Sequence, residues 1–444
     1  MNSNKGVFTP EQAEGLPGPK WLKTARLAAA QRFSKAQLPS EAEEVWRYSR
    51  IDELDLDKFH PFQVNVSSQA AIPDQLNSLL NSFSQNSGFL LFHNGQLVKK
   101  NLSQIAQDKQ VKIGSVQETR DGIFDSVPLI QDAFADLSIA FLLDAAVIEI
   151  PTGVSLEDPI VILHLVDEPN VAVFPRTVIR AGQGSSVRVI DHLTSTNVEA
   201  LVCSVSELDV DEAANLTYLF NQDLGPKVWQ LGYQSSQVGK DASFESFTTF
   251  LGGDYARMRT DSRLVGQGGS VKLLAAYYGD GSQVHDFRTL QEHSAPKTTS
   301  ELLFKGAVQG KARSVYSGLI KVDNGASGTN AFQTNRNLVL SEGAHAYSVP
   351  NLEIDENEVS CSHASAVGPI DKDHLYYLES RGIPTEVAER LIVLGFFEDI
   401  LSRNASSQLQ DWLRESIAKK LNAGFKIIAD LENKPEGLKV GSEI

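Results

Sequence analysis

Gly182-Gln-Gly-Ser-Ser-Val187 is the stretch on which the fold turns: a turn residue opens it, small residues fill it, and an apolar residue stands five positions on. The same figure returns as Asp211-Glu-Ala-Ala-Asn-Leu216, Gly239-Lys-Asp-Ala-Ser-Phe244, Gly266-Gln-Gly-Gly-Ser-Val271, Gly310-Lys-Ala-Arg-Ser-Val315 and Glu342-Gly-Ala-His-Ala-Tyr347. Successive starts are separated by 29, 28, 27, 44 and 32 residues. A near-constant period of this size marks stacked units, none able to bury its apolar face alone. The 44-residue interval reads as one unit carrying an insertion. From Ala146 to about Glu358 the text is strand, turn, strand, rich in Val, Ile, Thr, Phe and Tyr. The fold class that follows is mainly β, with a parallel β-helix-like solenoid core whose small turn residues stack at the corners. A β-sandwich is the competing arrangement, although its turns usually recur every 8 to 12 residues or about that.

Outward from this core the period changes. Residues 1–145 read as an N-terminal mixed, mostly helical domain, 146–365 as the β-helix core and 366–444 as a C-terminal helical domain. Trp21, Leu22, Ala25, Leu27, Ala29 and Phe33 lie on one helical stripe. In Leu38-Pro-Ser-Glu-Ala-Glu-Glu-Val-Trp-Arg-Tyr48, Ser40 and Glu43 have the spacing of a capping box, and Trp46 and Tyr48 read as aromatic core. Gly88 to Val98 reads as a hairpin about Asn94-Gly95, with His93 at the surface. A helix is predicted over Ile130 to about Asp144. Past the core, Asp371 to Ser380 is a short helix stopped at Gly382, and Pro384 opens the next. On that helix Val387, Leu391, Ile392, Leu394, Phe397, Ile400 and Leu401 make a broad apolar surface, fit either for a partner or for burial within the domain.

The 444 residues are 41% hydrophobic and 22% charged, with net charge −16. No dense Lys/Arg run offers a phosphate backbone a basic face, so nucleic acid is not an expected partner. The longest apolar run, Leu391 to Phe397, is seven residues. That is far short of the roughly 20 a bilayer requires. No signal-like segment opens the chain, and two cysteines, Cys203 and Cys361, suit a reducing compartment; the expectation is a soluble, cytoplasmic protein.

Gly182-Gln-Gly and Gly266-Gln-Gly-Gly are not followed by Gly-Lys-Ser/Thr, so they are turns and the chain shows no nucleotide-binding loop of its own. Cys203 in Leu-Val-Cys-Ser-Val reads as core, on the opposite side from Val202. His285 and His293 read as structural, and His345 and His374 have no ligand spacing. Cys361 and His363 are two apart in Val-Ser-Cys-Ser-His-Ala-Ser-Ala-Val-Gly368, which puts both on one face of an extended segment, as two ligands of one metal require. On spacing alone packing is the favoured explanation, because residues two apart are common by chance, and two cysteines cannot make a four-thiolate cluster site.

The run Cys361-Ser-His-Ala-Ser-Ala-Val-Gly-Pro-Ile-Asp371, followed by Leu375-Tyr-Tyr-Leu-Glu-Ser-Arg-Gly-Ile383, resembles the shared C-terminal signature of the B and D scaffold subunits of the SUF iron-sulfur cluster assembly system, the SufB/SufD family. The Leu38-Pro…Glu-Glu-Trp-Arg-Tyr48 piece resembles the motif near the start of the same subunits. The likeness is to the D type, because the B type has further cysteines and typically an acidic residue where Ser362 stands here. The resemblance implies a β-helix between helical domains and a non-catalytic scaffold that pairs with the B subunit and docks a separate ABC-type ATPase subunit. It implies a cluster assembly site at the subunit interface, with His363 facing a B-subunit cysteine and Cys361 as companion, and a transient iron-sulfur cluster shared with that subunit. ATPase docking would fall on the C-terminal helices, at Val387, Leu391, Leu394 and Phe397. A homodimer of the isolated chain is compatible with it. A β-helix interaction protein without metal chemistry, or a polysaccharide-acting β-helix enzyme, are the rival readings.

Overall fold

A computed structural model describes residues 5–63, 73–124, 126–129, 132–403 and 407–432. From Ile160 to Gly368 the chain winds between two parallel sheets, each coil giving strand to both. In the first sheet Tyr255 lies opposite Val284, then Arg313, then His345. In the second, Ser243 lies opposite Ser270, Thr299, Asn330 and Ser360. This is the solenoid that the repeats predict. Its interior holds one apolar cluster that runs from Leu90 to Tyr316.

The corners explain the repeats and correct one of them. Before second-sheet strands the turn carries a left-handed residue, at Gly184, Ala213, Asp241, Gly268 and Lys297, with φ of +64, +55, +52, +74 and +56°. Those positions are 29, 28, 27 and 29 apart. Gly310 and Glu342 instead open the other corner, before the first-sheet strands Arg313–Val322 and His345–Ile354. The 44-residue interval is therefore a coil and a half, with a change of corner, and contains no insertion. The turn in phase is Ala295-Pro-Lys-Thr-Thr299, hidden in the sequence because lysine stands at the left-handed position where glycine is favoured.

Helices cover both outer faces. The helix Lys20–Lys35 and the shorter Ala133–Ala140 cover the first sheet, where Phe33, Phe134 and Leu137 join Leu231, Tyr233 and Tyr255 in one cluster. The helix expected over residues 130–144 is thus shorter: Asp132 caps it by accepting from the N–H groups of Phe134 and Ala135, and Ile130 lies outside the described residues. On the second sheet, Thr385–Leu401 and Ser407–Glu432 pack against Ser270–Gly279 and Thr299–Val308. Lys305 ties down the first of them, its ammonium 2.6 Å from Asp399 and 2.9 Å from the Phe396 carbonyl. The hairpin Gly88–His93 and Gln96–Leu102 turns at Asn94 and Gly95, φ +47 and +82°, and its first strand joins the second sheet beside Ile160–Val166.

The segment 40–48 is not the helix its capping pattern suggests. Glu43 does accept from the Ser40 N–H at 3.1 Å, but the Ser40 hydroxyl takes the N–H of Ala42, and only a 3₁₀ turn, Glu44–Trp46, forms. The solenoid competes for its carbonyls: Arg257 and Arg288 donate to Val45 O and Arg47 O, each at 2.7 Å. Trp46 is core, with the Arg257 guanidinium 3.7 Å above its ring, but Tyr48 is not; it is 38% exposed and stacks on Tyr347.

One lateral row on the outer face of the first sheet reads Lys112, Glu149, Arg180, Asp209, Gln237, Arg263, Glu292, Lys321, Glu353. Its charges alternate in sign at every strand but Gln237. Arg263 Nε lies 3.1 Å from one Glu292 oxygen and Lys321 Nζ 3.0 Å from the other.

Candidate functional site

Cys361 and His363 lie on the last strand, Ser360–Gly368. Its neighbour Asn330–Val339 alternates: Ala331, Gln333, Asn335 and Asn337 are buried, while Asn330, Phe332 and Arg336 are exposed. Cys361 lies opposite Ala331 and His363 opposite Gln333, so both belong to the row that faces inward in every earlier coil. Here no further coil closes over them. The strands His345–Ile354 and Ser360–Gly368 are the outermost of their sheets, each with one edge unpaired among the described residues. Their side chains are mostly exposed. Val349, Leu352, Ile354 and Val367 stand among the exposed large apolar residues there.

The pair differs in environment. Cys361 is half-buried against Ile320, Val322 and Ala331, and this burial pushes its thiol above the ordinary value, with a hydrogen bond from the Ala331 backbone opposing it. It rests as a thiol, and a metal or a neighbouring cation is what would make it a ligand. His363 is exposed. Two soft-to-borderline donors on one face fit part of an iron-sulfur ligand set. Among the described residues no group of three His, Cys, Asp or Glu is placed to hold an ion, so a metal site built on this pair would need donors from outside them. Gln333, in register with His363, is buried with neither amide atom hydrogen-bonded. Sequence reading missed it, since only the strand register brings it to the pair.

The other sequence candidates separate cleanly. Cys203 is buried beside Leu201 and Tyr233, in a different cluster from Val202, and burial with Asp132 nearby pushes its thiol far up. His285 and His293 share an unbroken strand, Val284–His293, and both are buried and structural. His285 meets the Gly252 carbonyl, His293 meets Thr298 and Ser300, and burial holds both imidazoles down to about 4. His93, expected at the surface, is half-buried and 2.8 Å from the Asp167 carboxylate. His345 and His374 are exposed.

The C-terminal helix residues divide by face. Phe397 is 1% exposed and packs with Val393, Ile400 and Leu274. Leu394 is partly buried beside it. Val387 and Leu391 are 38% and 47% exposed, and they share the surface with Tyr376 and Tyr377, which the sequence reading did not single out. Asp371 caps the short helix Lys372–Glu379, and Gly382, φ +83°, ends it, as the sequence predicts.

A parallel β-solenoid with helices from both termini on its flanks, and with a Cys/His pair on an uncapped end coil, defines the structural class. The sequence model of the SUF system FeS cluster assembly SufBD core domain matches residues 164–396. The chain belongs to that family. An iron-sulfur cluster assembly SufBD family protein of Mycobacterium tuberculosis is 37% identical over 301 residues, 65% of this chain and 73% of its own length. The iron-sulfur cluster assembly protein SufD of Bacillus subtilis is 26% identical over 418 residues, 91% of this chain and 94% of its own, and that of Escherichia coli 26% over 403, 89% and 92%. Among the described residues no helix is long and apolar enough to cross a membrane.

Proposed function

We propose that this chain is a non-catalytic scaffold subunit of iron-sulfur cluster assembly in the cytoplasm. It pairs through its open end coil with a B-type scaffold and carries an ABC-type ATPase on its C-terminal helices. The observation that carries this reading is the pairing of unfinished sheet edges with an unfinished ligand set at one place, Cys361 and His363 on the inward row of the last strand. A partner that completes the coil also completes the donor set, so assembly and subunit pairing become one event. The cluster is cargo here. This chain's part is to hold His363 toward the interface and to keep the Cys361 thiol half-sheltered until the partner and the incoming iron favour its thiolate. Val387 and Leu391 supply the exposed part of the ATPase seat, with Phe397 holding the helix to the solenoid beneath.

The test is co-purification of tagged full-length chain, expressed with B-type scaffold and ATPase, comparing wild type with His363→Ala. The expected result is an intact complex in both and loss of most bound iron and sulfide in the variant. A wild-type chain that brings down neither partner, or a variant with undiminished iron and sulfide, overturns it.

A further inference from the structure

We infer that the free edge of the first sheet selects a partner strand carrying a lysine or arginine opposite Glu353, and so favours a basic partner over a second copy of this chain. The inference rests on the end-coil pairing proposed above and adds the chemistry of the partner.

The charge row on the outer face ends as Arg263, Glu292, Lys321 and Glu353. Each inner member of this run has an opposite charge on both neighbouring strands, or on the one neighbour that is charged. Glu292 shows what that means in contacts, held by Arg263 at 3.1 Å and by Lys321 at 3.0 Å. Glu353 is the exception. No strand follows it, and among the described residues no cation is within ion-pair distance of its carboxylate. Lys321, the cation in register with it, is instead within 2.9 Å of Asp323 and 3.0 Å of Glu292. A strand added at this edge continues the row, and a cation opposite Glu353 restores the alternation. Directly opposed unlike charges stabilise neighbouring strands, and like charges oppose pairing.

A second copy supplies that cation poorly. From His345 to Gly368 the end coil contains Glu353, Asp355, Glu356 and Glu358 and no lysine or arginine. Two such coils set end to end bring acidic edges together, with His345 the one basic side chain on the outer face of that strand. Like-charge contact across an interface is a strong device against wrong partners, and the matched sign speeds and steadies the right one. The apolar residue Val349, on the same strand and the same face as Glu353, gives pairing its sign-independent part.

The test measures binding of full-length chain to purified B-type scaffold for wild type, Glu353→Gln, Glu353→Lys and Val349→Asp. It is run at roughly 0.1 M and 1 M salt, where the screening length is about 10 and 3 Å. Glu353 is exposed, so thermal unfolding of the two Glu353 variants should match wild type. Expected is a loss of at least about tenfold in affinity for Glu353→Lys and a smaller one for Glu353→Gln, both shrinking at high salt. A Val349→Asp that abolishes binding while Glu353→Lys binds as wild type overturns this inference and leaves the pairing intact. If neither substitution affects binding, the pairing reading itself fails. Tighter self-association of the wild-type chain than binding to the B-type scaffold also overturns the inference.

Discussion

The middle of the solenoid and its last coil are built from similar strands in one continuous register, yet a histidine on the inward row means opposite things in them. His285 is sealed between coils and held neutral, with its pKa lowered to about 4 by burial. His363 occupies the inward row of the last strand and is exposed. The cysteines also differ in burial, but for another reason: Cys203 is fully buried on the outer face under the N-terminal helices, and Cys361 is half-buried on the inward row of the open end coil. A coil's inner face becomes core only when the next coil covers it. Where the stack stops, the same residue types remain available for chemistry, and the unpaired strand edges beside them remain available for a partner.

The sharpest way to break this comparison is to open the middle. Asp286 is fully buried on the outer face of the first sheet, with Arg257 at 2.6 Å, Arg288 at 2.7 Å and the Tyr255 hydroxyl at 2.9 Å. Burial alone would raise its carboxyl, but Arg257 and Arg288 outweigh it and hold it below the ordinary value. Asp286→Ala leaves two guanidinium groups without their anion and is expected to cost about 3–5 kcal/mol in urea unfolding. The same change loosens the Trp46 segment, whose carbonyls those arginines hold. A cost below about 1 kcal/mol would show that water reaches this cluster as it reaches the end coil.

Next comes acid. His192, His285 and His293 have folded pKa values lowered from 6.5 to about 4. The unfolded chain therefore binds more protons at these positions between about pH 6.5 and 4, and the histidine contribution to stability falls as pH drops through that window and levels off below it, where depressed carboxylates such as Asp286 take over. Each buried imidazole contributes on the order of 3 kcal/mol to that fall. Urea midpoints measured across this range, with His293→Gln beside wild type, should show the slope reduced by about one proton in the variant.

The smallest effect is at the end coil itself. His363→Ala is expected to alter unfolding free energy by no more than about 0.5 kcal/mol, as for an exposed side chain away from caps and ion pairs. In the native protein a thiol reagent should label Cys361 and spare Cys203 until the chain is unfolded, read by mass spectrometry of the labelled peptides. Labelling of both at similar rates would remove the distinction between middle and end.

The solenoid was legible in the sequence as the favoured arrangement, because a turn repeated about every 28 residues suits units that bury their faces by stacking, where a sandwich turns more often. The sequence also determined the shared face of Cys361 and His363, the Asn94-Gly95 hairpin and the stop at Gly382, all set by local geometry. Which corner each turn occupied was not legible, since Ala213, Asp241 and Lys297 adopt a conformation that sequence reserves for glycine. Nor was the fate of Ser40 to Tyr48, whose capping box lost to arginines more than 200 residues away. It took the tertiary structure to make Phe397 core and Leu391 surface, to set Gln333 in register with His363, and to line up eight charges and Gln237 across nine strands in one row ending at Glu353. The physical reason is common to these: burial and lateral register belong to neighbouring coils, and a residue's own stretch of chain does not encode what will lie across from it.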